Sequence, residues 1–404
     1  MRSVEEQMAI LERGAMTITE REELKTKLAK GKPLTVKLGV DPTAADLHLG
    51  FTVVLRKLRQ FQDLGHQAVL LIGSFTAQVG DPTGRDKTRP QITEEQVLKN
   101  AEHYLEQASR ILDRDKLIVR YNGEWFSKMT FKEVIALLAK STLARTLERD
   151  DFQKRFKENL PIHMHEFVYP LMQGYDSVVL KADVELGGND QTFNLMVGRD
   201  LQREEGQEPQ VCLTMPLLEG LDGVRKMSKS YGNYVAIADP PNEKVGKLMS
   251  VNDELMFKYL ELLTDIPMEQ IAEWKKGVKD GVKDGTVHPM TVKKAMAHAI
   301  TEIYDGKEAA DAAIANFENV FSNKEIPDDI PEYKLKEGGV PELDLLELLV
   351  ENKLAATKSE ARRVIQQGGV SCDGEKVTGF NLTMPKADSF ILKVGKRKFL
   401  KIIR

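Results

Sequence analysis

Residues 222–233 read DGVRKMSKSYGN. Lys226 and Lys229 stand three apart with no acidic residue between them, and Gly223 and Gly232 flank the pair. Two ammonium groups in a glycine-bounded loop suit charge that develops late, such as that on a departing polyphosphate. A loop can close on that charge as it appears; a helix cannot easily do so. Catalysis of this kind needs no nucleophile from the protein, only two substrates held in line and neutralised. The sequence has no G-x-S-x-G elbow and no cysteine in a reactive setting.

Other segments offer anion-binding or polar groups. DPTAADLHLGF (41–51) joins a strand's carboxyl end to a helix N-terminus. Ligands bind there in open α/β sheets, and the helix end favours an anion. Thr43 and His48 add donors and Gly50 permits close backbone approach. GDPTGRDKT (80–88) fails the P-loop spacing, yet Arg85 and Arg89 can meet phosphates. In YPLMQGYD (169–176), Tyr169, Gln173 and Asp176 fall at i, i+4 and i+7, which puts three hydrogen-bonding groups on one helix face. GGNDQ (187–191) follows a strand, so that Asp190 suits ribose hydroxyls and Gln191 a substrate's polar groups. His163 and His165 lack further ligand candidates, and no metal site is expected. Each segment also has a plainer reading, as a structural turn, a solvated basic loop or ordinary core.

These groups need a scaffold. TVKLGV (35–40) and QAVLLIGS (67–74) read as buried strands around FTVVLRKLRQFQDLG (51–65). That helix carries its apolar face on Val54, Leu55, Leu58, Phe61, Gln62 and Leu64, with Gly65 placed to end it. DSVVLKADVELGG (176–188) and VCLTMPLL (211–218) read as strands around a helix at 191–206. Strand and helix alternate as in a doubly wound parallel α/β domain spanning 31 to about 222. Residues 125–160 read as a helical hairpin with an apolar stripe, suited to core or to a subunit interface. Residues 240–321 read as helical, 325–342 as a proline-rich linker, and 344–377 as two short helices and a hairpin.

A chain of 404 residues is too long for one ordinary core. Its 41% apolar and 30% charged composition is that of a soluble globular protein, without an apolar run of membrane-spanning length. Cys212 and Cys372 lie far apart, which excludes a disulfide framework and fits a reducing cytoplasm. Residues 352–404 hold twelve Lys or Arg against four Asp or Glu, a net +8 that leaves −12 for the rest. A basic module on an acidic body reads either as a nucleic-acid footprint or as a solvated surface.

Taken together the motifs resemble the class I aminoacyl-tRNA synthetases, specifically the bacterial tyrosyl enzymes. HLGF (48–51) resembles their HIGH signature and KMSKS (226–230) matches their second signature. GVDPTAADLHLG, GDPTG, YPLMQGYD, GGNDQ and KMSKS follow the tyrosyl order over the whole chain. The resemblance implies a nucleotide-binding catalytic domain at 1–222, with a dimer-forming insertion at about 125–160. The KMSKS loop and an α-helical anticodon-side domain follow at 223–324, then a linker at 325–342. An α+β RNA-binding domain at 343–404 resembles one in a small-subunit ribosomal protein.

The implied reaction joins L-tyrosine to tRNA(Tyr) through tyrosyl-adenylate, with Mg-ATP as substrate and no tightly bound cofactor. The resemblance also implies a homodimer, a cytoplasmic location and no membrane association. By position, Thr43, His48, Arg85, Arg89, Lys226 and Lys229 meet the phosphates, and Thr43, His48, Lys226 and Lys229 would be catalytic. Gly39, Asp41, Gly50, Gly188, Asp190, Met227 and Ser228 complete the ATP site. Lys37, Asp81, Tyr169, Gln173, Asp176 and Gln191 hold the amino acid, with Asp176 on the phenol. Arg362, Arg363, Lys396, Arg397 and Lys398 face RNA. Two positions depart from the family pattern. Phe51 replaces the second signature histidine. Lys37 stands where many members carry a phenol-contacting tyrosine, and either donates to the phenol or turns away. The tyrosyl enzymes are themselves the standard case of a site built for a hydroxyl that rejects phenylalanine without editing, so no editing domain is expected. The alternatives are a tryptophanyl-tRNA synthetase and a non-catalytic RNA-binding protein.

Overall fold

The run Ala68–Ile72 is buried along its whole length, as a central parallel strand requires. A computed structural model describes residues 2–43, 46–83, 92–284, 287–322, 330–335, 342–383, 389–395 and 398–403. The chain divides into two compact units, Met1–Ile314 and Ala315–Arg404.

The first unit is built on a six-stranded sheet: β1 (Thr17–Ile18), β2 (Thr35–Val40), β3 (Gln67–Ile72), β4 (Leu117–Tyr121), β5 (Val184–Gly188) and β6 (Val211–Met215). Their order across the sheet is β1-β6-β5-β2-β3-β4. Strands β2 to β6 are parallel, and β1 is an antiparallel edge. The chain leaves β2 for β3 and β4, then returns to the other side of β2 for β5 and β6. Connections therefore diverge above the carboxyl ends of β2 and β5, and a crevice opens at that switch point. The expected doubly wound sheet is present.

Helices 49–63, 164–180 and 192–204 pack on this sheet. Helix Leu49–Asp63 buries Val53, Leu55, Leu58 and Phe61. It stops where Gly65 adopts φ +89°, a backbone state glycine takes without cost. One expected strand is shorter than its sequence suggested. Residues 176–180 continue helix Met164–Leu180, and only Val184–Gly188 is strand. Ser177 to Leu180 are apolar enough for either state, and packing against helix Thr192–Glu204 decides it. Residues 125–160 do not form a simple hairpin. They contain short helices Phe131–Leu138, Leu143–Thr146 and Asp150–Lys157, each broken before it can lengthen. Further helices run 241–248, 255–263, 268–284 and 289–305.

The second unit carries a five-stranded sheet in the order β10-β9-β12-β13-β7, and a separate β8-β11 pair. The strands are β7 (Glu332–Lys334), β8 (Glu342–Asp344), β9 (Val370–Cys372), β10 (Glu375–Lys376), β11 (Asn381–Thr383), β12 (Ser389–Val394) and β13 (Lys398–Ile403). Two short helices, Leu345–Glu351 and Lys358–Gln366, share its core through Leu345, Leu349, Ala361 and Ile365. Asp373 and Gly374 both have positive φ, so D-G turns the β9–β10 hairpin as the sequence suggests. Most of the expected linker lies outside the described residues. Within it Glu332–Lys334 is a strand, paired in parallel with β13.

Candidate active site

A cavity of about 830 Å³ lies at the switch point. Gly39 and Asp41 come from the end of β2, and Gly188, Asp190 and Gln191 follow β5. Thr43 and His48 come from the loop into helix Leu49–Asp63, whose first turn supplies Gly50 and Phe51. Helix Met164–Leu180 contributes Tyr169, Gln173 and Asp176, and the loop after β6 contributes Lys226, Met227, Ser228 and Lys229. Asp81 completes the set. Segments up to 190 residues apart in sequence thus face one space. Arg85, Arg89, Lys396 and Arg397 lie outside the described residues.

The floor is a buried network. Asp176 is 3% exposed; its Oδ1 accepts from Trp125 Nε1 at 2.9 Å and its Oδ2 from Asn122 Nδ2 at 3.3 Å. Burial pushes its pKa up to about 7, against the pull of Lys37 and these two donors. Asn122 Nδ2 also reaches Thr76 Oγ1 at 2.9 Å, and Thr76 donates to Asp41 Oδ1 at 2.8 Å. Tyr169 Oη donates to Asp41 Oδ2 at 2.8 Å. Gly73 makes this possible, since a Cβ there would sit 1.9 Å from Asp41 Oδ1. On the other side Gln191 Nε2 donates to Asp81 Oδ2 at 2.9 Å.

Lys37 corrects one expectation. It is wholly buried and does not line the cavity. Its ammonium donates to Gln173 O at 2.9 Å and Ser177 Oγ at 2.8 Å, and pairs with Glu185 Oε1 at 2.9 Å. An ammonium has three protons, and here all three are spent. None is left for a phenol.

At the upper end, His48 caps helix Leu49–Asp63, its Nδ1 accepting from Gly50 N at 3.2 Å. Burial, with help from Lys229, lowers its pKa to about 4. The ring is therefore neutral at pH 7, and its proton sits on Nε2 as a donor. Gly50 keeps this corner open, because a Cβ would lie 3.0 Å from the His48 ring. The Phe51 ring packs 4.7 Å from that of His48 and is half exposed. Gln107 and Asn100 of helix Glu94–Ala108 hold the adjoining loop through Leu47 N and Pro42 O, both at 2.8 Å.

At the rim Lys226 is exposed and Lys229 half-buried. Lys229 Nζ rests on Asp46 at 2.8 Å and Lys226 Nζ lies 3.8 Å from Asp190. Asn233, 4% exposed, anchors their loop. Its Oδ1 accepts from Ser228 N, and its Nδ2 donates to Asp222 and to the carbonyls of Arg225 and Lys226. Asn122, Trp125, Thr76, Glu185 and Asn233 were missed from sequence. They stand singly, in no periodic pattern, and only the fold brings them to the site.

In the second unit Arg362 and Arg363 are exposed on helix Lys358–Gln366, Arg362 stacking 5.4 Å over Phe380. Lys398 Nζ donates to Leu354 O at 2.7 Å, which engages it locally.

Residues 29–322 match the family described as tRNA synthetases class I (W and Y). The chain belongs to that family. Residues 323–402 match the Tyrosine--tRNA ligase SYY-like C-terminal domain. A Tyrosine--tRNA ligase of Thermotoga maritima is 53% identical over 98% of this chain and 97% of its own length. One of Francisella tularensis is 52% identical over all of both chains. Two solved structures share the fold at lower identity. The C-terminally truncated Aspergillus nidulans mitochondrial tyrosyl-tRNA synthetase gives a TM-score of 0.64 at 22% identity, covering 80% of this chain and 95% of that one. The Archaeoglobus fulgidus tyrosyl-tRNA synthetase, complexed with L-tyrosine, gives 0.62 at 23%, covering 77% and 99%.

Proposed function

We infer that the chain is a tyrosine–tRNA ligase. It activates L-tyrosine with ATP and passes the tyrosyl group to the 3′ terminal adenosine of tRNA(Tyr). The observation that carries the site assignment is Asp176: a buried carboxylate at the floor of a cavity, oriented by one donor on each oxygen. When ionised such a group only accepts, so it selects a ring bearing a hydroxyl over a bare one.

The remaining groups take roles that follow from their chemistry. Asp81, Tyr169, Gln173 and Gln191 gather round the ammonium and carboxylate of the amino acid. Gly39, Asp41, Gly50, Gly188 and Asp190 hold the adenosine part, with Met227 and Ser228 packing beside it. The tyrosine carboxylate attacks the α-phosphorus, and the bond to the pyrophosphate oxygen breaks. Thr43, the Nε2–H of His48, Lys226 and Lys229 meet the charge that develops on the phosphates. The lysines exchange Asp190 and Asp46 for that charge. Mg²⁺ travels with the ATP. A ribose hydroxyl of the tRNA then takes the tyrosyl group and releases AMP.

The second unit offers Arg362 and Arg363 to RNA phosphates, and the helical part of residues 223–324 serves the anticodon side. A second copy of the chain covers the insertion, where Phe131, Ile135, Leu143 and Phe156 stand 50–79% exposed. No helix among the described residues is long and apolar enough to cross a membrane. The proposed location is the cytoplasm, where a bacterial chain meets tRNA, ATP and free tyrosine. Charging of tRNA(Tyr) with labelled amino acids tests the reading. Tyrosyl-tRNA is the expected product; tryptophanyl-tRNA or no product would refute it.

A further inference from the structure

Neither residue of the Lys37–Glu185 pair lines the cavity. Both residues are fully buried. An ion pair costs much to bury unless every proton and lone pair finds a partner. Here they do. Lys37 Nζ reaches Gln173 O, Ser177 Oγ and Glu185 Oε1. Glu185 Oε1 also accepts from Gln173 Nε2 at 3.2 Å. Its Oε2 accepts from Ser177 Oγ at 2.9 Å and from Gln210 Nε2. Ser177 closes the ring, accepting from Lys37 and donating to Glu185.

One member of this ring does line the cavity: Gln173. An amide presents two donors on one side and an acceptor on the other, and it can usually turn over. An ionised carboxylate only accepts, so Glu185 must be met by the Nε2 side of Gln173. The Oε1 side then remains for the cavity. Lys37 holds the same residue by its carbonyl. An acceptor facing the cavity suits a substrate ammonium; a donor would repel it.

We propose that Lys37 and Glu185 are positioning residues that lock the Gln173 amide with its oxygen toward the cavity, and so set selectivity for an amino acid bearing a free ammonium. This rests on the tyrosine reading and adds how the ammonium, rather than the phenol, is recognised. It also gives the buried lysine a purpose. Without the Lys37 ammonium the Glu185 carboxylate would be a buried charge with no cation. A neutral amide at 185 can donate as well as accept, and facing it the Gln173 amide would be free to turn over.

The test compares L-tyrosine with 3-(4-hydroxyphenyl)propionate, which has the same ring and carboxylate but no ammonium. Both are titrated calorimetrically into the full-length chain and into the double variant Lys37→Met with Glu185→Gln, which removes both charges together. The variant is expected to bind tyrosine about tenfold more weakly and the desamino compound within about twofold of the wild type. Equal losses for both ligands, or no loss for either, would overturn the proposal. Should the double variant fail to unfold cooperatively, Ser177→Ala breaks two links of the ring without touching a charge. It should weaken tyrosine alone by about threefold, and equal changes for both ligands would again overturn the proposal. A wild type that binds neither ligand would instead refute the tyrosine reading, and the proposal with it.

Discussion

The two ends of the cavity are built on opposite plans. At the floor Asp176 and Asn122, and beneath it Lys37 and Glu185, are no more than 3% exposed, and each holds two or more partners. At the rim, Lys226 and Lys229 are 49% and 32% exposed, and each lies against one carboxylate. The floor recognises a group that never changes during reaction, so rigidity serves it. The rim meets charge that appears only as pyrophosphate leaves. Its lysines rest on Asp46 and Asp190, partners they can exchange. A lysine that met ATP and its transition state equally would not raise kcat.

This contrast orders the predictions. Replacing Asp176 by Ala should lower kcat/KM for tyrosine about a thousandfold, read by ATP–pyrophosphate exchange. A loss under tenfold would remove the floor from recognition. Replacing Lys229 by Ala should lower kcat about a hundredfold with tyrosine KM changed less than about twofold. An equal rise in KM would make the rim a ground-state binder.

The pH dependence separates the ends without mutation. The phenol donates to ionised Asp176, whose pKa is raised to about 7 by burial. Tyrosine affinity should fall about tenfold per pH unit below that value, while the desamino compound, sharing the phenol, follows the same curve. The stability effect has the opposite sign. With a folded-state pKa above the ordinary carboxylate value, ionisation of Asp176 costs stability, and this cost grows from about pH 4 to about pH 7. Affinity and thermal midpoint should therefore diverge across that window; an affinity flat from pH 6 to 8 would contradict the assignment. Replacing Asn233 by Ala should loosen the rim loop and lower kcat about tenfold. The smallest effect is expected at Phe51→His, within about threefold in kcat/KM, since the exposed Phe51 ring contacts only the edge of the site.

Much of this was legible in the sequence. The strands around 35–40 and 67–72 and the helix at 49–63 followed from apolar runs, a 3.6-residue face and one glycine stop. The polar face of Tyr169, Gln173 and Asp176 followed from helical spacing. What was hidden depends on side chains meeting across the fold. Lys37 sits in a strand whose burial is plain, but its turn toward Glu185 is set by a neighbouring strand almost 150 residues on. Trp125 and Asn122 reach Asp176 from the end of β4, and no local pattern marks them. Residues 176–180 were misjudged because a short apolar run fits strand and helix alike.

The most direct measurement is ATP–pyrophosphate exchange with each of the twenty amino acids in turn, without tRNA. Exchange with tyrosine alone, phenylalanine and tryptophan being silent, is the predicted result. Exchange with tryptophan, equal exchange with phenylalanine, or none with tyrosine would contradict the account of Asp176 and the cavity it floors.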